Sequence, residues 1–398
     1  MRGCAPLEGV KVVDVTRALA GPYCSMMLAD LGAEVIKLES PVKGDESRAW
    51  GPPFVNGESA YFMSVNRNKK SVALDFRSPG ARKVLTRLVR GADVFIENYR
   101  PGTAESLGVG YEALRKVNPR LIYCSISGFG QTGPRRDMPG YDIVALALSG
   151  MMSITGEPGR PPVKMGVPVS DIGAGMFAAF AIVSSLYGRG RTGEGERIDV
   201  SLLDGQVAWL THQAASYFAS GKVPRPLGSA HPQIAPYQAF RAKDGYFIVA
   251  AGNDAQWKAL LEVLPADTAL RSRAYSTNAR RVGNREKLER ELTSLFSRRT
   301  ASSWVRSISK AGVPACTINT VAEALSDPQT VARGMVMEVR HPKAGIVRQL
   351  GMPFKLGGYR FSIRAPPPVL GQHTNEVLRG LGFSPTQIGR LRRRGVVA

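Results

Sequence analysis

Short runs of β-branched and aliphatic residues alternate with longer amphipathic stretches through the first half of the chain. Residues 10–15, VKVVDV, read as a strand, and TRALAGP leads from it into a helix over 23–31. Pro22 suits the first helical turn and Gly32 the helix end. Residues 34–39, EVIKLE, read as a second strand. Strand, helix and strand within about thirty residues make a βαβ unit, which requires a parallel sheet. Further strands are expected at 71–76, 92–97 and 121–126, with an amphipathic helix over 79–90. There is no GxGxxG, so no dinucleotide fingerprint is read. The turn after the first strand still aims helix N–H groups at a strand end, which suits a phosphate. Ligands of open α/β sheets bind beyond the carboxyl ends of strands, so Asn98 and Arg100 are binding candidates, with an Asn-capped turn as the alternative. The strand at 121–126 opens into SGFGQTGP and a loop running on to Gly140, Tyr141 and Asp142. A polar loop of that length in a compact domain is functional or disordered.

The second half has a different texture. Residues 206–221 read as one helix and the Pro/Gly-rich 222–233 as a connector. Two short strands lie within 237–251 around the Lys243-Asp244-Gly245 turn, and helices follow to about residue 312. Residues 352–361 read as a strand, 366–368 as a rigid segment and 374–381 as a helix. The expected organisation is a large α/β domain over 1–220, a smaller domain over 230–331 and a return to the large domain over 335–398. The connectors lie near 221–228 and 335–351.

The chain is organised around residues 166–175, GVPVSDIGAG, followed by a nearly uncharged apolar helix over 176–187. Gly166, Gly173 and Gly175 let other groups approach the backbone. Asp171 has two readings. Ser170 and Asp171 are good capping residues, and a negative charge suits the positive end of a helix dipole. The alternative is a reactive carboxylate on an apolar wall.

Composition narrows the picture. The chain has 398 residues, 43% of them hydrophobic, room for two or so globular domains. No stretch has about 18 uninterrupted apolar residues, and the first residues lack a signal-peptide core. A soluble cytoplasmic protein with no membrane partner is expected. Cys4, Cys24, Cys124 and Cys316 form no CxxC pair and the four histidines no HExxH, so neither a metal site nor a disulfide framework is read. The net charge of +21 raises nucleic acid as a partner. The cations are spread out, however, apart from the run at 390–394, and no nucleic-acid-binding motif is found. A basic field equally attracts acidic small molecules, so no nucleic-acid partner is expected.

With these segments in order, the chain resembles the class III CoA-transferases, the family of formyl-CoA transferase and the carnitine CoA-transferases. The resemblance runs from LEGVKVVDVTRALAGPYCSMMLADLGAEVIKLE through NRNKKSVALDFR, ENYRPG, SGFGQTGP, VPVSDIGAG and GEGERIDVSLLD to PPPVLGQHTNEVLRGLG. It implies a Rossmann-like large domain, a smaller α+β domain and an interlinked homodimer. It implies transfer of CoA from an acyl-CoA thioester to a free carboxylic acid, with CoA as substrate and no further cofactor. Asp171 matches the family's nucleophile, which forms an acyl anhydride and then an aspartyl-CoA thioester. Arg17, Leu19, Ala20, Ser40, Leu74, Arg77, Asn98, Tyr99, Arg100, Gly140, Tyr141 and Asp142 match CoA contacts. Gly252, Asn253 and Asp254 match a glycine-rich lid loop but depart from its all-glycine form. Formyl-CoA transferases carry a glutamine where Leu19 stands, which argues against formyl-CoA and oxalate as the substrate pair. Dicarboxylates such as succinate suit an arginine-rich site, with succinyl-CoA a candidate donor. Lys164 and the loop after Ala251 are candidates for acid selection.

Two rivals remain at this stage. The α-methylacyl-CoA racemases of the same fold use a histidine before the aspartate that matches Asp142. Here Tyr141 stands there, and a phenol is a poor base at neutral pH. The other rival is a basic nucleic-acid-binding protein that keeps the fold without the chemistry.

Overall fold

The computed structural model describes residues 4–398. Two compact units are present. Met1–Met151, Met165–Ala214 and Pro328–Ala398 form the first, and Met152–Lys164 with Ala215–Asp327 the second.

The first unit is built on a six-stranded sheet, with β1 at Lys11–Asp14, β2 at Glu34–Glu39, β3 at Lys69–Ala73, β4 at Val94–Glu97, β5 at Ile122–Ser127 and β6 at Arg197–Ser201. Every pairing is parallel, and the spatial order is β3-β2-β1-β4-β5-β6. The period-two alternation of the strands sorts their side chains onto two faces. Val12, Val94, Ile96, Ile122, Cys124 and Ile126 join one core layer. Val13, Phe95 and Tyr123 join the other. The first layer is closed by α1, Ala20–Asp30, and α4, Val169–Thr192; the second by α2, Ala81–Arg90. A shorter helix, α3, spans Asp142–Leu148.

Several elements depart from the expectations. The strand expected at 71–76 sits earlier, at Lys69–Ala73, because Lys69 is fully buried and Leu74 bridges Val397 instead. The strand β6 was not anticipated; its Arg197 and Asp199 break the apolar run, since it is an edge strand with one wet face. The helix expected over 206–221 is two, Leu202–Ala208 and Thr211–Ser220, interrupted where Thr211 takes φ of 34°. No strand forms over 352–361, where Pro353, Gly357 and Gly358 interrupt the backbone. An antiparallel hairpin, Val336–His341 with Gly345–Leu350, forms instead within the stretch expected to be a connector.

The helix α4 is long and apolar enough to cross a membrane by length and composition. Its Gly173, Ala174, Ala178, Ala179 and Ile182 are buried, most of them in the layer shared with α1 and the sheet.

The second unit has a three-stranded antiparallel sheet, Tyr237–Arg241, Tyr246–Ala250 and Ala315–Thr317, with the middle strand at Tyr246–Ala250. Phe240, Phe247, Trp257, Phe296 and Trp304 form its aromatic core with helices α7, Asp254–Val263, α8, Arg285–Phe296, and α9, Ala301–Lys310 (α5 and α6 being the two helices of 202–220).

Candidate active site

The order of the sheet reverses between β1 and β4, so the loops that leave their carboxyl ends diverge and open a crevice. The loop after β1 is held from below by buried charges. Asp14 accepts from Thr16 N–H at 2.8 Å and from Ser25 Oγ, and lies 3.4 Å from the Lys69 ammonium. Lys37 donates to the Thr16 carbonyl at 2.7 Å and pairs with Asp45 at 2.9 Å. Burial works against both charges of the second pair, yet mutual attraction prevails. Lys37 is held above the ordinary lysine range by Asp45, Asp14 and Glu39. Asp45 is held down to about 2 by Lys37 and by backbone hydrogen bonds. Such paired, hydrogen-bonded charges are tolerable in the interior, and removing one partner would strand the other.

This foundation presents Arg17 and Ala18 to the crevice. Ala18 takes φ of 65°, a left-handed conformation that a residue with a Cβ adopts at a cost. Its N–H donates to Asp45 Oδ1 at 3.1 Å. Asn98, from the far side of the crevice, bonds both backbone groups of Arg17.

Asp171 lies in the first turn of α4, and the capping expectation for it is overturned. The helix begins at Val169 behind Pro168, and no side chain of its own caps it. The otherwise unsatisfied N–H of the buried Ser170 donates to Asp142 Oδ1 at 2.8 Å, reaching in from the start of α3. With the cap supplied by Asp142, the half-buried Asp171 carboxylate makes no hydrogen bond or ion pair among the described residues. Burial first, and the Asp142 carboxylate second, push it up to about 7. Gly175 is needed beneath it: a Cβ there would lie 2.6 Å from the Ala20 carbonyl oxygen. Gly166, also expected to admit a close neighbour, has nothing within 4 Å of that position.

Asp171 faces a cavity of about 190 Å³ whose walls include Arg17, Leu19, Asn98, Tyr99, Arg100, Gly140 and Tyr141. Its cations are Arg17, Arg100 and Arg136, with no lysine. Arg17, Glu46, Trp50 and Tyr99 also border a larger cavity of about 1380 Å³, which adds Ser40, Leu74, Arg77 and Lys43. A third, mostly apolar cavity of about 340 Å³ shares Leu19 and Tyr61 with the first and is walled by Met26, Met335, Met352 and Phe354.

Most of the expected residues of this unit therefore converge. Ala20 and Asp142 do not line these cavities: Ala20 is buried at the start of α1, and Asp142 caps α4. Gly252, Asn253 and Asp254 belong to the second unit. There Asn253 caps α7 through Gln256 N–H at 2.9 Å, Gly252 N–H donates to Gln256, and Asp254 pairs at 2.7 Å with the fully buried Arg281. These contacts join the loop to α7 and to Arg281.

Sequence reasoning missed Trp50, Tyr61 and Asp45. Burial, then the carboxylates of Asp171, Asp142 and Asp45, push the Tyr61 phenol up to about 12, which places a neutral hydroxyl in the field of Asp171. Trp50 packs edge-on to Tyr61 with centroids 4.9 Å apart. Both come from an irregular stretch and a five-residue helix, where periodicity carries no signal. The arrangement as a whole is an unpartnered carboxylate, pushed up to about 7, on the wall of a small arginine-bordered cavity that shares Arg17, Glu46, Trp50 and Tyr99 with a larger one. It can act as a nucleophile or as a base.

The sequence pattern described as CoA-transferase family III matches residues 7–374. The human succinyl-CoA:glutarate CoA-transferase is 44% identical over 398 residues, covering 100% of this chain and 91% of that protein. An acetyl-CoA:oxalate CoA-transferase of Acetobacter aceti is 43% identical over 355 residues, covering 89% of this chain and 90% of that protein. The crystal structure of a CAIB/BAIF family protein from Brucella suis superposes with a TM-score of 0.85 at 42% identity, covering 95% of this chain and 99% of that one.

Proposed function

The chain belongs to CoA-transferase family III, and from that membership and the setting of Asp171 we propose that it moves CoA from succinyl-CoA to a second dicarboxylic acid. The observation that carries the reading is the Asp171 carboxylate: freed of capping duty by Asp142 and half-buried on the cavity wall.

The carboxylate attacks the thioester carbonyl and expels CoA thiolate, leaving a mixed anhydride. The thiolate attacks the aspartyl carbonyl of that anhydride, releasing succinate and leaving an aspartyl-CoA thioester. The acceptor carboxylate attacks this thioester and expels the thiolate again. The thiolate then takes the acceptor acyl group, and Asp171 is regenerated. A carboxylate is a weak nucleophile in water, and desolvation with fixed placement makes it effective. The neutral Tyr61 hydroxyl, on the same cavity wall as Asp171, is a donor for the oxyanion of each addition. The large cavity accommodates the nucleotide end of CoA, with Arg17, Lys43 and Arg77 as its cations. Arg17, Arg100 and Arg136 supply the bidentate partners a dicarboxylate needs. Relatives named for glutarate and for oxalate support a dicarboxylate acceptor, the latter despite the Leu19 argument against oxalate.

A homodimer is part of the same proposal. Met176, Phe180, Val183 and Tyr187 form an exposed stripe along α4, with Phe180 and Tyr187 about three-quarters accessible, and a second copy of the chain covers it.

The test incubates the protein and its Asp171→Ala variant with succinyl-CoA and a panel of dicarboxylic acids, followed by mass spectrometry of intact protein and CoA products. A new acyl-CoA and a trappable adduct on the wild type alone are expected. Equal turnover by Asp171→Ala would refute the assignment.

A further inference from the structure

The net charge of +21 is unevenly placed. Residues 76–92 carry five Lys and Arg and no acid, and residues 377–398 carry five Arg and no acid. The two segments are far apart in the chain and packed together in the fold. Arg87 donates to the Leu381 carbonyl at 2.8 Å and its guanidinium lies 4.3 Å from the centroid of the Phe383 ring. Leu88, Leu378, Ile388 and Val396 share one core layer. The exposed members are Arg77, Arg82, Lys83, Arg90, Arg379, Arg390, Arg392, Arg393 and Arg394. None of these forms an ion pair among the described residues.

This basic plate ends at the rim of the large cavity. The segment after Arg394 is pinned there: Asp75 N–H donates to the Val396 carbonyl at 2.9 Å, Leu74 bridges Val397, and Gly395 itself lines the cavity beside Leu74, Asp75 and Arg77. The cavity's own cations face opposite charges. Arg17, Lys43 and Arg77 share its walls with Glu46 and Asp75, while Glu39 and Asp45 are neutralised by Arg48 and Lys37. The strong one-signed field therefore stands outside the cavity, at its mouth.

We propose that the arginine cluster at 390–394, with the facing cations of α2, is an electrostatic guide that raises the association rate of phosphate-bearing CoA thioesters. This rests on the reading of the large cavity as the CoA site. A long-range field of this kind acts on encounter and is screened by salt, whereas contacts inside a site govern dissociation. Screening is nearly complete beyond about 10 Å at 0.1 M salt. The plate ends where Arg77 and Gly395 line the cavity, and that continuity favours a small polyanion entering the cavity over a nucleic acid.

The experiment measures association of a fluorescent, adenine-modified CoA by stopped flow. Three proteins are compared: wild type, Arg392→Gln/Arg393→Gln/Arg394→Gln, and a control removing equal charge from the second unit, Arg290→Gln/Arg306→Gln/Lys310→Gln. At about 20 mM salt the first variant associates about fivefold more slowly, with a smaller change in dissociation. At about 0.5 M salt the difference falls below about twofold, which also shows that the variant's site is intact. Competition by pantetheine, which lacks the phosphates, is the same for both. An unchanged association rate at low salt, or an equal loss in the control, would overturn the guide alone. Failure of the wild type to bind CoA would overturn the guide together with the reading it rests on.

Discussion

Asn98 holds Arg17 by both of its backbone groups, accepting the N–H on Oδ1 at 2.8 Å and donating Nδ2 to the carbonyl at 2.8 Å. The clamp crosses the crevice between the ends of β1 and β4 and fixes the turn in which Ala18 is left-handed. Asn98 therefore positions Arg17 while also lining the smaller cavity. Asn98→Asp keeps the acceptor and loses the donor. We expect about tenfold or greater loss of kcat/KM, and about 1–2 kcal/mol of stability, from steady-state kinetics and urea unfolding. Unchanged values in both would show that the turn holds without the clamp.

Burial and the Asp142 carboxylate push Asp171 up to about 7, and the attack proposed for it requires the ionised form. The pH profile of kcat/KM is expected to fall below about pH 7, approaching tenfold per unit. The same shift has a stability consequence of opposite sense. The folded state keeps a proton that the unfolded chain releases, so stability is lost as pH rises from the ordinary carboxylate range through about 7. Asp171→Asn should be inactive yet more stable than wild type at pH 8, by about 1–3 kcal/mol. A variant less stable than wild type at pH 8 would contradict the buried, unpartnered carboxylate.

Helix α4 carries two glycines with opposite expected behaviour. Gly175→Ala drives a Cβ to 2.6 Å from the Ala20 carbonyl oxygen and should destabilise by about 1–3 kcal/mol, shifting Asp171 with it. Gly190→Ala meets nothing within 4 Å and should stabilise by up to about 1 kcal/mol. Thermal denaturation of the two variants side by side gives the comparison, and similar values would mean that α1 and α4 do not pack closely at Ala20.

Phe180 and Tyr187 lie on the exposed stripe of α4. If a second copy covers them, Phe180→Asp and Tyr187→Asp separate the protomers, and sedimentation shows half the mass of the wild type at equal concentration. A wild type that sediments as a monomer, or variants that remain paired, would remove the stripe from the interface.

The sheet was readable because its strands are buried on both sides. Val12, Val35, Val94 and Ile96 leave continuous apolar runs, and the βαβ signal at 10–39 requires parallel pairing. Strand β6 was not readable, since an edge strand holding Arg197 and Asp199 looks like a loop. Asp171 was visible as a carboxylate among small residues, but its local sequence equally described a cap. Only the long-range bond from Asp142, 28 residues earlier in the chain, separates the two. Tyr61 and Asp45 were invisible for the same reason: each is brought to the crevice by tertiary packing, and no spacing records it.

The cations that border the Asp171 cavity are all arginines; Lys37 and Lys69 have their amines buried and bonded, and Lys43 lines only the larger cavity. An anhydride or thioester on Asp171 would be captured irreversibly as an amide by any free amine within reach. A guanidinium provides the charge without that nucleophilicity. If Asp171 is acylated as proposed, arginine in place of lysine spares the protein from acylating itself, turnover after turnover.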